Sequence, residues 1–150
     1  RLNYKKIEEG LAIIHRFIGY LLEIAQLDEE QFFADMRNPA TTESYLRRSL
    51  ETIFDISRHI LAKTYGFKEL EYKKLAQGLG DKRIVAKEYA TILLKMAGYR
   101  NRMVHFYNEV TDQELFQIIK ENLGDLERFV DEIRVFLLKY RECIHNLTNN

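Results

Sequence analysis

With 150 residues, 46% of them hydrophobic and 31% charged, the chain has the make-up of one soluble globular domain large enough to bury a core. Its 23 basic and 23 acidic residues cancel, which excludes coating of nucleic acid by bulk charge and leaves only local patches open. A single cysteine, Cys143, excludes an internal disulfide and fits a reducing cytoplasm, and no run approaches the roughly 18 apolar residues that a membrane span requires.

One proline, Pro39, and long stretches of 3.6-residue periodicity predict an all-α chain. The first helix is expected over residues 2–25. Its main stripe is Ile7, Leu11, Ile14, Ile18, Leu21 and Ala25, and a second stripe of Ile13, Phe17, Tyr20 and Ile24 runs beside it. So wide an apolar face implies two neighbours, a first hint of a dimer. Asp28 can cap a short turn through Phe33, and Arg37-Asn38-Pro39 is expected to break the pattern. A second long helix follows over 42–64, with Gly66 as its stop. A weaker helix over 69–77 is expected to end in a turn at Gly78-Leu79-Gly80. The fourth helix spans 84–104, with Tyr89, Leu93, Met96 and Met103 inward, and 108–111 reads as a turn. Thr111-Asp112-Gln113-Glu114 is a capping box that opens one last helix, carrying Leu115, Ile119, Leu126, Val130, Ile133, Leu137 and Tyr140. Residues 1–145 thus form a single antiparallel bundle of four to five helices, followed by a polar tail over 146–150.

Chemistry concentrates where the fourth helix ends. Arg100 is followed after four residues by His105, then after one more by Tyr107. A guanidinium can neutralise charge developing on a phosphate, an imidazole can move protons near neutral pH, and a phenol can assist either task. On an unbroken helix Arg100 and His105 would point about 140° apart. The three groups therefore meet only if the helix ends near His105 or if a second copy contributes. Asn101 stands four residues before His105 and shares its helix face, so it is expected to support the imidazole or touch phosphate. Between residues 82 and 102 lie Lys82, Arg83, Lys87, Lys95, Arg100 and Arg102 against Glu88 alone, a local surplus suited to a phosphate backbone. Asp55 reads either as a supporting partner of this basic motif or as a surface charge. His15, His59 and the Cys143/His145 pair lack the spacing of a metal site. No metal or cofactor is expected.

The run from Gly98 to Tyr107, with its Arg-Asn-Arg and Val-His-x-Tyr elements, resembles the signature of the HepT family, the toxin branch of the HEPN superfamily of helical domains. Residues 50–61, with Asp55-Ile56-Ser57-Arg58-His59-Ile60, are similar to the family's second helix and 111–133 to its final one. The likeness covers most of 2–140. The chain departs from it at Glu69-Leu70-Glu71, where relatives often carry a proline.

The resemblance implies a metal-independent ribonuclease of HEPN fold, acting as a homodimer with two motifs facing one cleft. It also implies an antitoxin partner, a minimal nucleotidyltransferase that silences the toxin by attaching AMP to Tyr107. In that scheme Arg100 holds the scissile phosphate, His105 is the acid/base, Tyr107 assists, and Asn101, Arg102 and Asp55 support them. A reading from a different class is a non-catalytic subunit that holds a nucleotide or phosphate for the nucleotidyltransferase.

Overall fold

The computed structural model describes residues 1–69, 71–105 and 110–149. Among them stand seven helices: α1 (Tyr4–Ile24), α2 (Glu29–Ala34), α3 (Arg37–Tyr65), α4 (Tyr72–Asp81), α5 (Lys87–Val104), α6 (Asp112–Glu121) and α7 (Leu123–Thr148). The expected all-α bundle is what forms. α3, at 29 residues the longest helix, is its axis, packing against α1, α2, α4, α5 and α6. Apolar side chains at three- and four-residue steps line both sides of α3, from Leu46, Leu50 and Ile53 to Phe54, Ile60 and Leu61, all buried. Three hydroxyls enter this core without being left unpaired. Thr42, Ser49 and Ser57 donate to the carbonyls of Asn38, Tyr45 and Ile53, one turn back, each at 2.7 Å.

Start and stop signals sit where the residue types demand. Asp28 accepts from the Gln31 amide while Gln31 accepts from that of Asp28, closing a capping box on α2. Gly66 ends α3 in the left-handed region at φ 68°, where glycine carries no Cβ penalty.

Four expectations about element ends need correction. Pro39 does not break the chain. It lies in the first turn of α3, where an amide has no intrahelical partner and its loss is harmless, and Asp35 accepts from the Arg37 amide at 2.9 Å just before it. Gly78 and Gly80 are not a turn but the last turns of α4: a Cβ on Gly80 would come within 2.6 Å of the Ala90 Cβ, so glycine lets α4 press against α5. The single last helix is two, α6 and α7, broken at Asn122. There the Asn122 side chain donates to Asp125 at 3.3 Å and Gly124 follows. The apolar stripe stays in phase across the break, so the pattern reads as continuous. α7 then holds helix through Thr148, well into the polar stretch expected as a tail.

α1 packs on both α3 and α7, which bury most of its main stripe and Phe17 of the second, while Tyr20 stays exposed. A Cβ on Gly10 would meet Ile56 at 2.8 Å, a measure of how closely α1 and α3 approach.

Candidate active site

α5 ends where the motif begins to turn. Val104 is its last residue, and His105 caps it in an extended conformation, φ −101° and ψ 103°, its amide donating to the Asn101 carbonyl at 3.2 Å. The expected helix end near His105 is therefore present, and the imidazole stands exposed beyond it. Tyr107 lies outside the described residues.

One turn back, Arg100 points into a cleft between α3, α4 and α5. Its guanidinium carbon lies 4.3 Å from the centroid of the Tyr72 ring, an arrangement in which the positive charge meets the negative face of the ring. Tyr72 in turn stacks on buried Phe54, with ring centroids 4.7 Å apart, and burial raises its phenol above the ordinary value. Arg100 also offers Nη2 to Glu51 Oε2 at 3.4 Å, a long contact, while the other oxygen of Glu51 accepts from Arg47 at 3.1 Å. Arg100 Nε is buried and has no hydrogen-bond acceptor among the described residues. The guanidinium is thus held by its ring face and one weak ion pair, with one buried N–H left without an acceptor among the described residues.

The cleft has a volume of about 400 Å³ and is lined by Arg58, Glu71, Tyr72, Lys73, Arg100 and Asn101. Asn101 thus stands at the site. Arg58 approaches the same tyrosine ring, 5.8 Å from its centroid, and Asp55 accepts from Arg58 Nη1 at 3.0 Å. Asp55 therefore reaches the motif through Arg58; the carboxylate that meets Arg100 itself is Glu51, one turn earlier on α3.

Arg102 serves a different part of the structure. Its two terminal nitrogens donate to the two Glu114 oxygens at 2.8 and 2.9 Å. Glu114 is also the capping-box residue of α6, accepting from the Thr111 amide at 3.2 Å while Thr111 Oγ1 accepts from the Glu114 amide at 3.1 Å. One carboxylate thereby ties the end of α5 to the start of α6, on either side of the residues that follow His105. The basic run of 82–102 does not gather into a single patch. Lys82 lies over Tyr65 and Phe67 near the end of α4, and Lys87 begins α5, thirteen residues or about 20 Å from Arg100.

Arg58, Tyr72, Lys73 and Glu51 had no signal in the local pattern of the motif, because they arrive from α3 and α4 by tertiary packing. Two traces are on α3: Arg58 lies in the stretch already likened to the family's second helix, and Arg47, Glu51 and Arg58 recur at four- and seven-residue steps along one face. His59 accepts from the Asn3 amide through Nε2 at 3.0 Å, a structural role, and burial lowers its proton affinity. Among the described residues no three His, Cys, Asp or Glu side chains converge as a metal site, and no helix is long and apolar enough to cross a membrane.

Residues 7–133 match the Ribonuclease HepT-like family. The chain is 26% identical to the tRNA nuclease HepT of Aphanizomenon flos-aquae, over 91% of this chain and 92% of that protein. It is 27% identical to the mRNA nuclease HepT of Shewanella oneidensis, over 83% and 92%. Its fold matches the solved structure of a tri-AMPylated Shewanella oneidensis HEPN toxin in complex with MNT antitoxin with a TM-score of 0.79, at 24% identity over 90% of this chain and 99% of that one.

Proposed function

The chain belongs to the HepT-like ribonuclease family, and on that premise we propose that it is a metal-independent endoribonuclease, the toxin of a toxin–antitoxin pair acting in the cytoplasm. The observation that carries the reading is Arg100, seated on Tyr72 with its buried Nε unanswered, five residues before an exposed histidine that has just left the helix. RNA supplies its own nucleophile. The 2′-hydroxyl attacks the adjacent phosphorus as its proton leaves, the bond from phosphorus to the 5′-oxygen breaks, and that oxygen takes up a proton. The products are a 2′,3′-cyclic phosphate and a 5′-hydroxyl. Arg100 offsets the charge on the crowded phosphate, and His105 handles the protons. Asn101, beside Arg100 in the cleft, assists in holding the phosphate. Arg102 supports the motif from Glu114, and Asp55 does so from Arg58.

Two proton transfers fit two histidines, so a homodimer with both motifs facing one cleft suits the chemistry. The partner is a minimal nucleotidyltransferase antitoxin, which silences the toxin by attaching AMP to Tyr107. The relative solved as a tri-AMPylated toxin with its MNT antitoxin supports this reading. A phosphodiester placed beside Arg100 would pair with the guanidinium meant for substrate, so modification competes with RNA.

The test is cleavage of RNA in EDTA. Wild-type protein should cut, His105→Ala should lose activity at least 10²-fold while melting at nearly the wild-type temperature, and Arg100→Lys should lose most activity because lysine keeps charge but not the planar fork. Wild-type rates in both variants would remove these residues from the site, and wild-type cleavage abolished by EDTA would remove the metal-free mechanism.

A further inference from the structure

A second guanidinium shares the cleft with Arg100. Arg58 stands on α3 seven residues beyond Glu51, so the two lie on one helix face about 10.5 Å apart along the axis. The guanidinium carbons of Arg58 and Arg100 lie 5.8 and 4.3 Å from the same Tyr72 centroid, which places two cations within a few ångströms of one ring. Like charges gathered around one ring repel in the partly dehydrated wall of a protein. Each is offset by a carboxylate of α3, Glu51 for Arg100 and Asp55 for Arg58. The ring both guanidinium groups approach is stacked on buried Phe54, so it is anchored to the core. Lys73 adds a third positive charge to the lining and Glu71 a carboxylate, and about 400 Å³ is more room than one phosphate needs.

We propose that Arg58 is a substrate-binding residue that holds the RNA phosphate next to the one gripped by Arg100, with Tyr72 as the positioning residue that sets the distance between the two. The inference rests on the ribonuclease reading and adds to it a polynucleotide register: the cleft recognises two successive phosphates of a single strand. Arg58 acts on binding and register, Arg100 on the reacting phosphate.

The experiment uses the full chain carrying His105→Ala, so that RNA binds without being cut, and measures affinity for a single-stranded oligonucleotide and for a dinucleoside monophosphate across a salt series. Adding Arg58→Gln should weaken oligonucleotide binding roughly tenfold and reduce the slope of log K against log salt by about 0.7, the share of one phosphate contact on a single strand. The dinucleotide, with its one phosphate, should lose much less. Arg58→Lys keeps the charge and serves if Arg58→Gln does not fold: it should retain the salt slope and lose a few-fold in oligonucleotide affinity. Equal losses for both ligands would mean that Arg58 acts only through Arg100, and an unchanged salt slope in a folded Arg58→Gln would mean that it touches no phosphate; either result overturns the inference and leaves the nuclease assignment in place. A wild-type chain that neither binds nor cuts RNA removes the ribonuclease reading itself, and this inference with it.

Discussion

Glu114 closes two local structures with one carboxylate, and its titration exposes the link. Hydrogen bonds from Arg102, then from the Thr111 backbone, hold it at about 2, well below the usual carboxylate range of roughly 4.3. A depressed folded-state value means that the ionised form contributes stability above pH ~4.3, and that this contribution is lost as pH falls toward 2. Both partners are partly exposed, so water screens the pair and the effect is small. Glu114→Gln keeps a side chain able to complete the capping box but removes the charge that Arg102 grips. Its melting temperature should lie below wild type at pH 7, and the gap should narrow between pH ~4.3 and ~2. Parallel melting curves across that range would show that the Arg102–Glu114 pair does not join α5 to α6 energetically. At this scale the motif itself was legible, because Arg100, Asn101 and His105 lie within six residues of chain. Glu51, Arg58 and Tyr72 were not, since a local pattern carries no information on which side chain of α3 or α4 will face Arg100.

Among the elements, helix identity followed from periodicity, while the ends depended on chemistry that periodicity does not register. Pro39 reads as a breaker until its position in the helix is known, and in the first turn it is tolerated. Gly78-Leu79-Gly80 reads as a turn because glycine is a poor helix former, yet α4 runs through it. The glycine at position 80 is required by the approach of Ala90, and this separates two kinds of helical glycine. Gly19 in α1 has open space where a Cβ would stand, so Gly19→Ala should stabilise the fold by up to ~1 kcal/mol through helix propensity alone. Gly80→Ala gains the same propensity but drives a Cβ to 2.6 Å from that of Ala90, overpacking that costs about 1–3 kcal/mol. The net change should be a loss of about 1 kcal/mol, read by urea denaturation of both variants beside wild type. Equal stabilisation by the two substitutions would mean that α4 and α5 separate without cost, and that the cleft wall formed by Tyr72 and Lys73 is looser than its packing implies.

At the scale of the whole molecule the question is whether one chain holds a complete site. The broad apolar face of α1 first suggested a second copy; α3 and α7 of the same chain pack on α1 and bury Phe17 and Ile18, while Tyr20 of the second stripe stays 38% exposed, so that face alone does not require one. The site itself bears on the question. Arg100 is drawn into the cleft by Tyr72 and Glu51, whereas His105 stands exposed past the end of α5, and no hydrogen bond joins the two among the described residues. In the proposed mechanism both groups act at one phosphate, and Val104 beside His105 is 43% exposed, one apolar side chain that a second copy could cover. If the two copies form one cleft, activity belongs to the dimer and obeys mass action. Sedimentation should show a dimer at micromolar concentration, and specific activity should fall on dilution below the dissociation constant measured in the same buffer. A chain that is monomeric by light scattering and still cuts RNA at undiminished specific activity at nanomolar enzyme would mean that residues following His105 bring a complete site together within one copy.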